Sequence, residues 1–231
     1  MTSIAANLQA VRERIVAACL AARRPTDSVS LLAVSKTWPA SALREAAAAG
    51  QGAFGENYVQ EALEKIGTLA DLALEWHFIG PLQSNKTRAV AENFSWVHSV
   101  DRLKLAERLS AQRPPNLPPL NVCLQVNVSG EASKSGCGPL EAAALAAAIE
   151  RLPGLRLRGL MAIPEPTEDT ALQRRRFASL RETLATVSAH TGRWLDTLSM
   201  GMSDDLEAAI MEGATLVRVG TAIFGKRDYT I

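Results

Sequence analysis

The stretch that decides the fold lies near the C-terminus and reads Ser199-Met200-Gly201-Met202-Ser203-Asp204-Asp205 and then, after a helix, Val217-Arg218-Val219-Gly220-Thr221. In both segments small residues stand where a strand stops and a helix begins. Glycine lets main-chain N–H groups approach an anion closely, and a helix N-terminus adds a favourable dipole. Because the loops after strands seven and eight of a parallel barrel often hold a phosphate, this stretch predicts the phosphate-binding end of a (β/α)₈ barrel.

The chain before this stretch alternates short apolar runs with Ala- and Leu-rich helical runs. Eight strands are predicted, at 30–36, 53–57, 75–80, 95–100, 120–128, 156–163, 195–200 and 216–224. A helix between each pair implies parallel pairing, and a count of eight favours a closed barrel. The alternative is an open flavodoxin-like or Rossmann sheet.

The helices between these strands follow from apolar residues at helical spacing. They are predicted at 39–50, 57–71, 84–92, 101–112, 138–152, 168–190 and 204–213. A further amphipathic helix at 3–22, capped by Thr2 or Ser3, precedes the first strand and is extra to a minimal barrel.

Length and composition point to one barrel domain spanning residues 1–231. A hydrophobic content of 47% is enough for a sizeable core, and a formal charge of +1 gives no bulk attraction to nucleic acid or to an anionic membrane. The three cysteines lack metal-ligand spacing and are expected to be free thiols. With no signal peptide or membrane span in the pattern, we expect a cytoplasmic protein.

Lys36 follows the apolar run Leu31-Leu32-Ala33-Val34 and would point at the same barrel mouth as the glycine-rich stretch. Desolvation there lowers the pKa of an ammonium group, and a neutral amine attacks an aldehyde to form an imine. A phosphate site beside such a lysine predicts pyridoxal 5′-phosphate (PLP) held as a Schiff base. The alternative is a lysine that merely ends a strand and reaches solvent.

Arg218 interrupts the last apolar run, where alternation puts it on one face with Leu216 and Gly220. An arginine buried in a strand needs an acceptor. The sequence leaves two acceptors open, a pyridine nitrogen of the ligand or a buried carboxylate such as Glu56.

The histidines carry no metal-ligand spacing. His77 and His98 lie on the third and fourth predicted strands, and we interpret them as buried, hydrogen-bonded structural residues. Cys137 has no adjacent base, so we do not expect a catalytic thiol.

Seven segments that together span nearly the whole chain resemble the pyridoxal phosphate homeostasis protein family. They are AVSKT (33–37), FGENYVQE (54–61), WHFIGPLQSNK (76–86), SVD (99–101), GLMAIP (159–164), LSMGMS (198–203) and VRVGTAIFG (217–225). The resemblance implies a single-domain barrel of the alanine racemase N-terminal type, which is PLP fold type III.

The resemblance also implies a role for each candidate residue. Lys36 would be the Schiff-base lysine, and Arg218 would face the pyridine nitrogen. Asn57 and Met161 would line the ring. The phosphate would be held by Ser199, Gly220 and Thr221, with main-chain help from Met200 and Gly201.

The family is regarded as binding PLP and controlling its supply, and the residues agree with such a role. Arginine at the pyridine nitrogen weakens the electron sink, and a racemase needs a second acid/base group on the opposite face of its substrate. We therefore expect a monomeric carrier or regulator without catalytic residues, with PLP-dependent apo-enzymes as recipients.

The alternatives are a weak amino-acid racemase using Tyr58 or Lys134 as second base, and a Schiff-base aldolase without PLP. Lys134 could also accept PLP for outward transfer.

Overall fold

The computed structural model of the protein describes residues 3–130 and 135–226, and eight parallel strands form a closed barrel at its centre. The strands are β1 Ser30–Val34, β2 Ala53–Glu56, β3 Glu75–Phe78, β4 Trp96–Val100, β5 Leu120–Gln125, β6 Leu155–Met161, β7 Thr197–Ser199 and β8 Leu216–Val219. They are arranged in chain order, and β8 closes the ring by pairing with β1. The predicted (β/α)₈ barrel is confirmed, and the open-sheet alternative is wrong.

Helices cover the outside of this barrel. They are α1 Ile4–Ala21, α2 Ala40–Ala48, α3 Val59–Thr68, a 3₁₀ turn at Ser84–Lys86, α4 Thr87–Asn93, α5 Leu103–Gln112, α6 Ala142–Ile149, α7 Thr170–Thr191, α8 Leu206–Met211 and α9 Thr221–Phe224. No helix in the described ranges combines the length and the hydropathy needed to cross a bilayer.

The extra N-terminal helix α1 is present and joins the two ends of the chain. Ser3 caps it by accepting a hydrogen bond from the Ala6 N–H, while Thr2 lies outside the described residues. Its polar face bonds to the C-terminal elements, since the Asn7 side chain donates to the Ile223 carbonyl at 2.8 Å and Arg14 donates to the Ser203 carbonyl at 2.9 Å. Helix α1 therefore supports the turn at Ser203 and helix α9.

The last predicted strand, 216–224, is wrong in its second half. Strand β8 ends at Val219, and residues Thr221–Phe224 form helix α9 with Gly220 as its N-cap. The apolar run is explained by packing outside the sheet, because Ile223 is fully buried and the Phe224 ring stacks on Trp38 at 5.8 Å.

The barrel interior is partly polar, unlike the apolar layer between strands and helices. Two small apolar groups fill part of it, one made of Leu32, Val34, Ile79 and Leu216 and the other of Trp96, Cys123 and Met161. Buried polar side chains from β3, β4, β7 and β8 fill the space between. This polar interior includes Arg218, which reaches the mouth of the barrel.

Candidate functional site

A cavity of about 510 Å³ opens at the carboxyl ends of the strands. Five residues predicted for the site line it, namely Lys36, Asn57, Arg218, Gly220 and Thr221. They come from the loops after β1 and β2, from β8 and from the start of α9. This is the end of the barrel at which the loops of such folds build their sites.

The other four predicted residues do not line this cavity. Ser199 and Met161 end strands β7 and β6 with fully buried side chains that point into the barrel. The Met200 N–H donates to the Leu216 carbonyl, and the Gly201 carbonyl accepts from the Arg218 N–H. The phosphate roles of Ser199, Met200 and Gly201 stay predictions, and in this structure the Ser199 hydroxyl bonds to Arg218 and His98 inside the barrel.

Some lining residues were missed by the sequence reasoning. Val34 and Ile79 lie at the ends of β1 and β3, Ile163 lies after β6, and Lys226 follows α9. A strand-end position is the signal that could have identified the first two, because every carboxyl end of a parallel barrel faces the same mouth. Ser203, which belongs to the predicted phosphate-binding stretch, lines the cavity as well, and its hydroxyl accepts the Ala222 N–H at 3.4 Å.

Lys36 lies in a turn directly after β1 and is partly buried. The next residue, Thr37, has a φ of +68°, which is strained for a β-branched side chain. The Glu61 carboxylate accepts the Thr37 N–H at 2.5 Å and so holds this conformation. The turn that presents Lys36 is therefore fixed by a side chain from helix α3.

Behind this turn lies a buried ionic group that we call the Lys65 cluster, made of Ser35, Glu56, Glu61 and Lys65. The Lys65 ammonium donates to Glu56 at 2.7 Å, to the Ser35 carbonyl at 2.8 Å and to Glu61. Burial raises the pKa of Glu56, and Lys65 opposes that rise. Glu56 is thus the partner of Lys65, and the predicted alternative pairing of Glu56 with Arg218 is wrong.

Arg218 is 3% exposed and reaches the cavity from inside the barrel. Its Nη1 donates to the Ser199 carbonyl at 2.6 Å and to the Ser199 hydroxyl at 2.7 Å, and its Nη2 donates to the Ala162 carbonyl at 2.8 Å. Burial lowers the pKa of Arg218 to about 10, so it stays protonated at neutral pH. A guanidinium has five N–H donors, which leaves donors beyond these three bonds for a ligand.

Two histidines extend this network away from the cavity. His98 Nδ1 lies 2.8 Å from the Ser199 hydroxyl, and its Nε2 lies 2.9 Å from His77 Nδ1. His77 Nε2 lies 2.8 Å from the Glu75 carboxylate. Burial lowers the pKa of both imidazoles. The prediction that His77 and His98 are buried and hydrogen-bonded is confirmed.

One polar atom of the cavity wall lacks a partner. The Asn57 side-chain oxygen is buried, and within the described part of the chain it accepts no hydrogen bond. Leaving such an atom unpaired is unfavourable, so this oxygen is suited to a donor carried by a ligand.

The residues considered as a second base or a reactive thiol do not contribute to the described part of this cavity. Tyr58 is 56% exposed and does not belong to the cavity lining, and Lys134 lies outside the described residues. The Cys137 thiol is buried, and its pKa is raised to about 11 by burial. Across residues 3–130 and 135–226, no group of three or more His, Cys, Asp or Glu side chains is arranged to hold a metal ion.

Comparison with known proteins gives related chains of the same length. The family model of the alanine racemase N-terminal domain matches residues 3–228. The pyridoxal phosphate homeostasis protein of Pseudomonas aeruginosa is 67% identical over 229 residues, which is 99% of this chain and 98% of that protein. The protein of the same name from Escherichia coli K12 is 55% identical over 235 residues, covering 100% and 99% of the two chains.

Solved structures agree with this relationship. PipY of Synechococcus elongatus, in a structure with PLP bound, has a TM-score of 0.85 and 41% identity, covering 96% of this chain and 100% of that chain. Alanine racemase from Corynebacterium glutamicum has a TM-score of 0.71 at 17% identity over 95% of this chain and 62% of that chain, and this likeness shows the fold alone.

Proposed function

The chain belongs to the pyridoxal phosphate homeostasis protein family, within the alanine racemase N-terminal domain family, and from this membership we propose that it binds PLP and serves PLP homeostasis in the cell. The observation that carries the proposal is one cavity that joins Lys36, the donors of Arg218 and the unpaired oxygen of Asn57. Such a cavity offers an amine for an aldehyde, a cation for a ring nitrogen and an acceptor for a ring substituent.

The residues present fit this ligand. When bound, PLP supplies an aldehyde that an amine can capture and a ring that can accept electrons. The partly buried Lys36 amine is the group proposed to form the Schiff base, and Glu61 holds its turn in place. Arg218 is proposed to donate to the ring nitrogen, because a guanidinium can only donate.

The phosphate is proposed to lie on the other side of the cavity, at the turns that precede α8 and α9. Gly220, Thr221 and Ser203 border the cavity there. Gly220 brings its main chain close to β1, since a Cβ at this position would lie 3.1 Å from the Val34 carbonyl oxygen. Ser199, Met200 and Gly201 are proposed to support this side from beneath.

We propose a carrier or regulator of PLP supply without robust catalysis. Support comes from Arg218, because a cation at the ring nitrogen keeps that nitrogen unprotonated and weakens the electron sink. The recipients are proposed to be PLP-dependent apo-enzymes, and the protein is proposed to be a cytoplasmic monomer. The cytoplasmic location is supported by three free, buried cysteines. A weak racemase with Tyr58 or Lys134 as second base is the alternative.

The test is the visible absorbance spectrum of the purified protein with added PLP, compared between the wild type and Lys36→Ala. We expect a visible band in the wild type that borohydride bleaches, and no such band in the variant. Lys104→Ala, which removes an exposed lysine from helix α5, is the matched control and should keep the band. A bleachable band that survives in Lys36→Ala would contradict the assignment, and rapid amino-acid racemisation by the wild type would overturn the carrier function.

A further inference from the structure

An unbroken line of hydrogen-bonded side chains crosses the barrel interior from the cavity to the opposite face. It runs from Arg218 through Ser199, His98 and His77 to Glu75, with successive donor–acceptor distances of 2.7, 2.8, 2.9 and 2.8 Å. The three middle side chains are almost fully buried, whereas the Glu75 side chain is 51% exposed. Glu75 begins β3, so it lies at the barrel end opposite to the cavity.

The two ends of this line fix the direction of every bond in it. Arg218 has no acceptor, so the Ser199 hydroxyl oxygen accepts from it. At the other end an ionised Glu75 can only accept, so His77 carries its proton on Nε2. A neutral imidazole has one donor and one acceptor. His98 must then donate from Nε2 to His77 and accept on Nδ1 from the Ser199 hydroxyl.

The surroundings agree with this single arrangement. The hydrogen bond from His77 is the main cause that lowers the pKa of Glu75, and contacts with Trp96 and Arg158 lower it further. Burial and the charge of Arg218 keep His98 neutral. The guanidinium of Arg158 lies 4.7 Å from the centre of the Trp96 ring and is paired with Asp196, so His77 is the side chain that donates directly to Glu75 in this arrangement.

We propose that the line from Glu75 through His77, His98 and Ser199 to Arg218 is a directional hydrogen-bond relay, here called the histidine relay, in which Glu75 sets the proton positions and Ser199 orients the Arg218 guanidinium in the cavity. Ser199 and His98 are positioning residues, because they act on the ligand through Arg218. The part of this inference that concerns PLP rests on the proposed function.

The first test needs no ligand and uses ¹⁵N-histidine NMR of the full chain, with His77→Asn and His98→Asn to assign the signals. Both buried imidazoles should be Nε2–H tautomers, while the exposed His190 serves as an internal reference. In Glu75→Gln the amide can donate as well as accept, so a second tautomer should appear at His98, two hydrogen bonds away from the substitution. The exposed Glu107→Gln is the control. An Nδ1–H tautomer of His98 in the wild type, or unchanged tautomers in Glu75→Gln, overturns the relay.

The second test asks whether the relay reaches the ligand, and it compares two buried serines, Ser199 on β7 and Ser99 on β4. Removing the Ser199 hydroxyl takes one of the three acceptors from Arg218, and Ser199→Ala should weaken PLP binding about three- to ten-fold and shift the absorbance of the bound cofactor. Ser99→Ala is the matched control, because the Ser99 hydroxyl is buried without a partner among the described residues. Equal dissociation constants and spectra for the two variants would overturn the positioning role. Failure of the wild type to bind PLP would overturn the proposed function, and the NMR result would still decide the relay.

Discussion

The Lys65 cluster beside Lys36 and the histidine relay beneath Arg218 are both buried and polar, yet they are built in opposite ways. The cluster brings opposite charges into direct contact, with Lys65 and Glu56 2.7 Å apart. The relay keeps neutral groups in its middle and its charges at its ends, on Arg218 and Glu75. The cluster therefore depends on charge balance, and the relay depends on where protons lie.

The two regions also differ in how far apart their residues lie in the sequence. The cluster is local, because Ser35, Glu56, Glu61 and Lys65 belong to β1–β2–α3 and the loop between. The relay joins β3, β4, β7 and β8, and His98 and Ser199 are 101 residues apart in sequence. One region can form early from adjacent segments, whereas the other needs the closed barrel.

Lys65→Met should give the largest effect on stability. It leaves the Glu56 carboxylate buried without its cation, and breaking a buried pair in this way costs about 3–5 kcal/mol. The free energy of unfolding from urea titration measures the loss. The double variant Lys65→Met/Glu56→Gln should recover much of it, and a double variant as unstable as the single one would contradict the charge-balance account.

The pH dependence of stability should distinguish the relay from the cluster. Burial lowers the pKa of His98 well below its ordinary value, and the charge of Arg218 acts in the same direction. Below a pH of about 6.5 the unfolded chain therefore binds a proton that the folded chain does not, and stability falls as the pH falls, by at most about 1.4 kcal/mol per pH unit for this group.

The measurement is the difference in unfolding free energy between the wild type and His98→Asn from pH 8 to pH 5. Carboxylates common to both proteins cancel in this difference. A difference that stays constant with pH would show that folded His98 takes up a second proton as readily as it does in the unfolded chain. The relay does not allow this, because it needs a neutral His98.

Thr37→Gly should give the smallest effect, and its sign should be positive. Glycine adopts the φ of +68° at Thr37 without strain. Relief of about 1–2 kcal/mol of left-handed strain exceeds the entropy that glycine adds to the unfolded chain, about 0.4–1 kcal/mol, so we expect a net gain of roughly 0.5–1 kcal/mol. Thr186→Gly, in the middle of α7, should instead lose a few tenths of a kcal/mol. Thermal unfolding of both variants measures the contrast. Destabilisation by Thr37→Gly would mean that the threonine side chain stabilises the fold by more than its backbone strain costs.

The sequence was sufficient for the architecture because each buried parallel strand is an apolar run followed by an amphipathic helix. It was insufficient where a strand is followed at once by a helix of similar composition, as at β8 and α9. The apolar residues of α9 were read as strand because burial against α1 and Trp38 gives the same composition as burial in a sheet.

The site was predictable to the extent that it depends on strand ends. Lys36, Asn57, Gly220 and Thr221 follow strands, Arg218 lies one residue before the end of β8, and all five line the cavity. The inward direction of the Ser199 hydroxyl depends on the register of a three-residue strand, and this register cannot be read from the residue types alone. The pairing of Glu56 with Lys65 likewise depends on how helix α3 is rotated against the barrel.

Helix α1 has a consequence for the order of assembly. It bonds to the Ser203 and Ile223 carbonyls, which lie 189 and 216 residues further along the chain, as well as to Glu45 and Ala49 nearby. Because contacts so distant in sequence form slowly, the phosphate side of the cavity should be among the last parts of the barrel to close. A partly folded chain should therefore hold no PLP, so bound cofactor would report on the finished fold.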